Sequence, residues 1–320
     1  MLGSFLSLAL AGAAAPPLPA AEEIVAPGPQ APLHGTYQPA PGSGAPVVLI
    51  VPGSGPTDRD GDSPLGMKAA TYRLLAVALA ERGVASVRID KRGMFASAAA
   101  VPDANAVTMD AYADDVAAWI GAIRQRTGAS CVWLGGHSEG GLVALVAAAR
   151  PGLPICGVVL LATAGRPLGA LIRAQLGAEA ATAPLLPAAE LVIAALEAGK
   201  RVEPAAIPAP LMGLFAPQVQ GFLISEMALD PARLAAGIAV PMLIVQGESD
   251  LQVGMEDARR LAAAAPAARL AAFPGVNHVL KQVPAGDRMA NLAAYANPDL
   301  PLAPGLADRI AAFVKSAPGH

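Results

Sequence analysis

The stretch from Cys131 to Arg150 constrains the fold of this chain more than any other. It opens with a short apolar run, continues as GGHSEGG and ends in a run of mostly Leu, Val and Ala. That order is typical of a buried strand, a tight turn and a buried helix. The turn contains Gly136-x-Ser138-x-Gly140, a spacing that places a serine hydroxyl on a strained strand-to-helix turn, here called the elbow. Side chains at the two glycines would collide with the flanking elements. The alternative is a glycine-rich connection with an incidental serine, which would not require a buried strand before it and a buried helix after it.

Composition narrows the classes of protein to which the chain can belong. Its 320 residues are 54% hydrophobic, enough for one large α/β domain with an insertion or for two smaller domains. The net charge is −3 and no basic stripe occurs, which disfavours nucleic acid as a partner. Four histidines, two cysteines and the lack of an HExxH motif disfavour a metal site, and we expect no cofactor.

The N-terminus resembles an export signal. Residues 2 to 15 carry no charge, and the first charged residue is Glu22. This apolar run is too short for a stable membrane span, but it is typical of the h-region of a secretory signal followed by small residues. The alternative is an Ala/Pro-rich leader, because no Lys or Arg precedes the run. Cys131 and Cys156 fall in predicted core strands, where we expect reduced thiols that pack as small hydrophobes.

Strands and helices alternate along most of the chain. After an irregular lead-in up to residue 32, the apolar patterns predict strands at 33–39, 47–51, 85–89, 155–161, 240–246 and 269–273, and helices at 66–82, 108–126, 255–265 and 306–315. This rhythm predicts a mostly parallel central sheet with helices on both faces.

The alternation stops between residues 165 and 237. The segment is helical in character and apolar, and it contains several prolines. We interpret it as an inserted helical cap over the carboxyl edge of the sheet, with residues 33–164 and 238–320 forming the core. The alternative is an ordinary stretch of surface helices.

A serine nucleophile needs a base that accepts its proton and an acid that orients the base. In chains with this elbow the order along the sequence is nucleophile, acid, histidine. His34 precedes the core sheet, His137 adjoins Ser138 and would point away from it, and His320 is the last residue. The base is therefore predicted to be His278, in a loop after the last strand.

The acid is expected at the end of the strand that precedes His278. Glu248 and Asp250 both stand there, and we favour Asp250 because it lies further into the loop. The alternative role for Asp250 is to cap the following helix.

An oxyanion formed at the serine needs two backbone donors. One is predicted to be the N–H of Glu139, at the N-terminus of the helix after the nucleophile. The other is expected in the loop after the strand at 47–51, where we favour Ser54 and keep Gly55 as the alternative.

The acidic run Asp58–Asp62 does not match a calcium loop. Glycine is the fourth residue of the run rather than the sixth, and position twelve is Ala69. We expect these charges to pair locally, together with Asp90 and Arg92, and to support the oxyanion loop.

Five motifs between residues 51 and 281 together resemble the α/β-hydrolase superfamily, close to the capped esterases and the S33-type, serine-aminopeptidase-like hydrolases. They are VPGSGPTDRDGD, IDKRG, GGHSEGG, QGESDLQV and GVNHVLK. The resemblance implies the α/β-hydrolase fold and cleavage of carboxylic esters through an acyl-enzyme. Pro52 departs from the pattern, since many relatives carry histidine before the oxyanion glycine.

The expected substrate is a small-molecule ester. An alanine- and leucine-rich cap favours an apolar acyl group of small or medium size. One alternative is a peptidase that removes N-terminal residues, which would need an acidic anchor for the substrate amine. Another is a non-catalytic binding protein of the same fold, which would normally lack one member of the triad.

Overall fold

The computed structural model describes residues 18–178 and 180–316, and these residues form a central sheet. The predicted signal at residues 2–15 and the histidine at the C-terminus, His320, lie outside them. The strands are Glu22–Ala26 (β1), Leu33–Gln38 (β2), Val47–Val51 (β3), Ala85–Ile89 (β4), Val132–His137 (β5), Ile155–Leu161 (β6), Met242–Gly247 (β7) and Arg269–Phe273 (β8). Their order in space is β1-β2-β4-β3-β5-β6-β7-β8. β2 pairs antiparallel with β1 and β4, and the other pairs are parallel.

Helices cover both faces of this sheet. The helices of the described residues, including those between β6 and β7, are Thr71–Glu81 (α1), Met109–Thr127 (α2), Glu139–Ala148 (α3), Leu168–Ala178 (α4), Leu186–Glu197 (α5), Met212–Phe215 (α6), Gln220–Met227 (α7), Pro231–Ala236 (α8), Met255–Ala264 (α9), Arg288–Ala293 (α10) and Leu306–Ser316 (α11). Trp119, Val143 and Leu261 pack on one face of the sheet. Leu75 and Phe313 pack on the other. The predicted α/β architecture, mostly parallel with helices on both sides, is confirmed.

Local sequence accounts for the bounds of α2. The Thr108 side chain accepts a hydrogen bond from the Ala111 N–H at 3.2 Å, which caps the first turn. Gly128 follows the last turn with φ 74°, the left-handed conformation that ends many helices. Between these signals, Val116 and Trp119 lie on a buried face at helical spacing.

The sheet begins earlier in the chain than the sequence indicates. Residues 22–26 fall in the predicted irregular lead-in, yet they form β1 at the edge of the sheet. Ile24 and Ala26 are buried, whereas Glu22, Glu23 and Val25 are exposed. The prediction is wrong here because five residues of which two are glutamates give a weak apolar pattern, and pairing with β2 supplies the missing stabilisation.

The chain between β6 and β7 is helical and has its own apolar cluster. Helices α4 to α8 lie in this segment. Ile172, Ile193, Phe215 and Leu223 are buried among one another. The division of residues 165–237 from the core as a separate cap stays a prediction.

No helix within residues 18–178 and 180–316 has both the length and the apolar character that crossing a bilayer requires.

A disulfide joins Cys131 to Cys156, with the two Cα atoms 5.2 Å apart. The expectation of two reduced thiols is therefore wrong. The pairing of β5 with β6 shifts between Val132 and Trp133, which pair with Ile155 and Gly157, so Cys156 is the extra residue of a bulge. The sequence shows that both cysteines lie near strands, but only the order of the strands in space makes them neighbours.

Loss of this disulfide should lower the free energy of unfolding by about 3 kcal/mol, because the bridge closes a loop of intermediate length in the unfolded chain. The cysteines are 25 residues apart. We expect a lower midpoint of urea unfolding for a Cys131→Ala/Cys156→Ala variant than for the oxidised protein. Reductant should lower the midpoint of the wild type only. Equal midpoints for variant and oxidised wild type would contradict the prediction.

Candidate active site

Ser138 occupies the strained turn that its motif predicts. It lies directly between β5 and α3, with φ 54° and ψ −121°. This backbone conformation is unfavourable for a residue with a side chain and is common at functional sites. A Cβ atom added to Gly136 would lie 2.2 Å from the Gly140 carbonyl oxygen, and one added to Gly140 would lie 2.3 Å from the Val51 carbonyl oxygen. Both glycines are therefore required for the close approach of strand, turn and helix.

Asp250 and His278 form a buried pair. The distance from His278 Nδ1 to Asp250 Oδ2 is 2.8 Å, and the Asp250 side chain is fully buried. Asp250 Oδ1 also accepts hydrogen bonds from the backbone N–H groups of Gln252 and Val253. Burial by itself raises the pKa of Asp250, but the charge of His278 and these hydrogen bonds outweigh it and lower the pKa below its ordinary value. Glu248, the other candidate acid, is exposed.

Ser138 is connected to this pair through its neighbour His137 rather than through a hydrogen bond of its own hydroxyl. Among the described residues, the Ser138 hydroxyl does not donate to the His278 ring. The residue before the serine, His137, has its ring centroid 4.8 Å from that of His278. In hydrolases the hydrogen bond between nucleophile and base often tightens only in the complex with substrate. The structure thus joins Asp250 to His278 and brings His137, the residue before Ser138, into contact with the His278 ring.

His34 and His137, the other described histidines, have partners that differ from those of His278. His34 contacts Glu23 at the edge of the sheet, with 2.8 Å between His34 Nδ1 and Glu23 Oε1. His137 points away from the position of a base, since both of its ring nitrogens are engaged by Tyr72 and by the backbone of His278.

In the loop after β3, both the N–H and the carbonyl of Gly53 are hydrogen-bonded to side chains. The Gly53 N–H donates to the Tyr72 hydroxyl at 2.9 Å, and Lys91 Nζ donates to the Gly53 carbonyl at 2.7 Å. In a trans peptide the C=O and the following N–H point in opposite directions. The contact with Lys91 therefore sets the direction of the Ser54 N–H.

Both predicted oxyanion donors remain without a protein acceptor. Within the described parts of the chain, no hydrogen bond uses the N–H of Ser54 or of Glu139. The N–H of Gly55, the alternative donor, has no such partner either. A Cβ atom on Gly53 would lie 3.3 Å from the Ser138 Cβ, so this loop packs directly against the elbow.

The charged loop near Asp58 forms ion pairs; Arg59 pairs with Asp90 as the sequence predicts, whereas Arg92 pairs with Asp115 of α2 instead. The Arg59 guanidinium binds Asp90 through Nε at 2.9 Å and Nη2 at 2.6 Å. Arg92 forms two hydrogen bonds of 2.6 Å with Asp115. In the part of the chain that the structure describes, no group of His, Cys, Asp and Glu residues is arranged to hold a metal ion.

A cavity of about 440 Å³ opens above Ser138. The helical segment between β6 and β7 contributes Leu171, Phe222 and Glu226 to its wall, and the core contributes Ser54 and Glu139. This volume and the many apolar side chains are typical of a small-molecule site.

Lys91 and Glu226 place two ionisable groups in the wall of this cavity, and sequence reasoning missed both. Lys91 is buried, and its Nζ lies 3.0 Å from Glu139 Oε1. Burial alone lowers the pKa of Lys91, but the negative charge of Glu139 outweighs it and raises the pKa, so Lys91 is a cation. The Glu226 side chain is 7% exposed. Burial and repulsion by Glu139 raise the pKa of Glu226 well above its ordinary value. Two features of the sequence could have drawn attention to these residues. Lys91 stands in the IDKRG motif, and Glu226 is the single acid of the apolar helix α7.

His137 should make the protein less stable as the pH falls. Burial and the nearby charge of His278 lower the pKa of His137 to about 3, so its ring stays neutral in the native state. Between pH 6.5 and 3 the unfolded state therefore binds more protons than the native state. The contribution of His137 to the free energy of unfolding should therefore decrease by up to about 1.4 kcal/mol per pH unit as the pH is lowered through that range.

Urea unfolding between pH 7 and pH 4 tests this prediction. A His137→Gln variant keeps a donor and an acceptor but does not titrate, so its stability should depend less steeply on pH. Identical pH slopes for variant and wild type would contradict the prediction.

The sheet order, the strained serine after β5 and the buried Asp–His pair define an α/β-hydrolase. Solved structures support the fold. The α/β-hydrolase GrgF from Penicillium sp. sh18 superimposes with a TM-score of 0.60 at 17% identity, over 93% of this chain and 99% of that chain. A thermophilic esterase from Thermogutta terrifontis gives a TM-score of 0.52 at 20% identity, over 82% of this chain and 92% of that chain.

The family model described as serine aminopeptidase, S33, matches residues 65–282, and the chain belongs to this family. Esterase EstD of Thermotoga maritima is 30% identical over 218 residues, which cover 68% of this chain and 49% of the relative. This chain thus spans about half the length of the curated relative that it matches. The family and this relative support a hydrolase activity.

Proposed function

We propose that this protein hydrolyses carboxylic esters through an acyl-enzyme. The observation that carries the proposal is the buried Asp250–His278 pair, which contacts His137, the residue before a serine held in a strained turn at the cavity wall. A Ser138 hydroxyl alone is a weak nucleophile, and we assign His278 as the base that accepts its proton, because both ring nitrogens of His137 are already engaged.

The reaction has two halves. Ser138 Oγ attacks the acyl carbonyl while His278 accepts the serine proton, and His278 then donates that proton to the leaving alcohol. Water next attacks the acyl-enzyme with His278 again as base, which releases the acid and restores Ser138. Asp250 holds the Nδ1–H of His278 and stabilises its positive charge in both halves.

The oxyanion that forms in each half is assigned to the amides of Ser54 and Glu139. Both are unpaired within the described residues and both border the cavity. Lys91 positions these donors, because it contacts the Gly53 carbonyl and the Glu139 carboxylate. Backbone donors fixed in this way stabilise the transition state more than the substrate.

The acyl group is proposed to be apolar and of small or medium size. The cavity volume of about 440 Å³ and wall residues such as Leu142, Leu171 and Phe222 support this substrate class. Turnover of p-nitrophenyl esters from acetate to dodecanoate tests it. We expect turnover with an optimum at short or medium chain length. No turnover across the whole series would refute ester hydrolysis.

Removal of N-terminal residues from peptides is the second candidate, and Glu226 favours it. A peptidase of this kind needs an acidic group that binds the substrate amine, and Glu226 is a cavity carboxyl without a hydrogen-bond partner among the described residues. A bound ammonium group would favour the ionised form of Glu226.

Glu226→Gln distinguishes the two candidates. For a peptidase, the variant should lower kcat/KM for aminoacyl p-nitroanilides by about 10- to 100-fold, since a charged hydrogen bond is lost. The measurement is the ratio of kcat/KM for aminoacyl anilides to that for neutral esters. An unchanged ratio, or wild-type protein without turnover of anilides, would remove the peptidase candidate.

Export from the cytoplasm is proposed as well. The apolar N-terminal run and the disulfide between Cys131 and Cys156 both support it, because disulfides persist mainly in oxidising compartments. Fractionation of the native host tests this, and recovery of the protein only with its cysteines reduced in the cytoplasm would contradict it.

A further inference from the structure

We propose that Tyr72 and His137 form a positioning bridge that holds the oxyanion loop and the loop of the base in one geometry. The proposal rests on the proposed hydrolase function. Three hydrogen bonds connect the Gly53 amide, the Tyr72 hydroxyl, the His137 ring and the His278 carbonyl, with lengths of 2.9, 2.9 and 2.8 Å. Four segments that are remote in sequence thus meet through two side chains.

Each hydrogen bond of the bridge has one possible direction. The His278 carbonyl can only accept, so His137 Nε2 carries the proton and donates it. The neutral ring then has its lone pair on Nδ1, which accepts from the Tyr72 hydroxyl. The Tyr72 oxygen in turn accepts from the Gly53 N–H. Every donor and acceptor of the bridge is used, so a rotation of either ring breaks at least one bond.

The bridge is buried and packed. Tyr72 is 2% exposed and His137 is 6% exposed. Their rings meet edge to face with centroids 5.5 Å apart. A Cβ atom on Gly53 would lie 3.4 Å from His137 Nδ1, so the loop backbone rests directly on the ring. Water has little access to compete for these hydrogen bonds, which makes each unpaired group costly.

Tyr72 also connects the bridge to helix α1. Its neighbour Thr71 donates from its hydroxyl to the carbonyl of Val279, the residue after His278, at 3.3 Å. The start of α1 is therefore connected to two consecutive carbonyls in the loop of the base. Thr71 binds the Val279 carbonyl directly, and Tyr72 reaches the His278 carbonyl through the His137 ring. This second contact gives the bridge a rigid support.

Neither bridge residue supplies an atom to the reaction. Their effect is to fix the separation between the oxyanion donors and the His278 ring, and displacement of such groups by about 1 Å can lower the rate about 100-fold. Tyr72→Phe removes one oxygen and leaves both the Gly53 N–H and His137 Nδ1 unpaired. The loop of Ser54 and the loop of His278 then lose their common support.

Steady-state kinetics of four variants tests the bridge, with the p-nitrophenyl ester that the wild type hydrolyses fastest. Tyr72→Phe and His137→Leu should lower kcat by about 10- to 100-fold with KM changed less than about threefold. His137→Gln retains a donor and an acceptor and should recover most of the loss relative to His137→Leu. Tyr37→Phe removes a tyrosine hydroxyl from strand β2, outside the bridge, and serves as the control.

Three kinetic results would overturn the proposal. They are wild-type kcat in Tyr72→Phe, equal kcat for His137→Gln and His137→Leu, or a loss in Tyr72→Phe that resides wholly in KM. A role in stability alone would lower the melting temperature without the rescue by glutamine. If Tyr72→Phe does not fold, the comparison of the two His137 variants decides.

A readout without turnover separates this proposal from the hydrolase assignment. Nitrogen-15 spectra of the histidine side chains should show His137 as the neutral tautomer protonated at Nε2 at pH 5. In Tyr72→Phe the ring signals of both His137 and His278 should shift, while Tyr37→Phe should leave them in place. Turnover by the wild type with unshifted His278 signals in Tyr72→Phe overturns the bridge alone. Shifted signals without any turnover of esters would support the bridge and refute the proposed function.

Discussion

Ser138→Ala is expected to lower kcat for ester hydrolysis by about 10⁵- to 10⁶-fold, because the variant has no group that can form the acyl-enzyme. Alanine lacks the attacking oxygen, and the remaining oxyanion donors and cavity supply only background catalysis. The protein should still fold, since the Ser138 side chain makes no hydrogen bond that caps α3. Labelling by a fluorophosphonate probe should disappear with the activity.

The control for this variant is Ser130→Ala. Ser130 is exposed and lies before the opposite end of the strand that leads to Ser138. It should retain both turnover and labelling. Residual labelling of Ser138→Ala at the wild-type level would place the nucleophile on another residue.

Asp250→Asn is expected to lower kcat by about 10⁴-fold with little change in KM. A carboxylate can only accept, so it keeps the proton of neutral His278 on Nδ1 and leaves Nε2 free for the serine. The amide of asparagine can instead donate to Nδ1, which moves the ring proton to Nε2 and disables the base. The asparagine oxygen can still accept from the amides of Gln252 and Val253, so the loop should keep its shape.

Glu248→Gln is the matched control, because Glu248 is the other acid at the end of the same strand and is exposed. It should leave kcat within about twofold of the wild type, as is usual for an exposed substitution that removes no contact. A pH profile of each variant completes the measurement. A larger loss in Glu248→Gln than in Asp250→Asn would assign the orienting role to Glu248.

The elbow and the strands around it could be predicted because their signals are local. Glycines at 136 and 140 are needed within one turn, and β4, β6 and β8 begin and end at the predicted residues. β1 lacks such a signal, since its stability depends on pairing with β2. His278 could be selected by elimination among four histidines and Asp250 favoured over Glu248 by its position further into the loop, but only the structure shows the 2.8 Å contact between them.

The groups around the site could not be predicted in the same way. Lys91 lies 38 residues from Gly53 and 48 from Glu139, and nothing in its motif shows that it reaches both. Glu226 resembles any acid on an apolar helix until its burial near Glu139 is known. The two cysteines become partners only because β5 and β6 are adjacent and a bulge aligns them.

The sequence by itself determined the strained serine turn, the α/β alternation and the short list of residues that could serve as acid and base, because backbone strain and apolar periodicity are properties of neighbouring residues. Only the tertiary structure decided which groups meet. Tyr72 and His137 are 65 residues apart, and His137 and His278 are 141 apart. Contacts over such distances are set by the packing of helices on the sheet, and no local pattern encodes their direction or length.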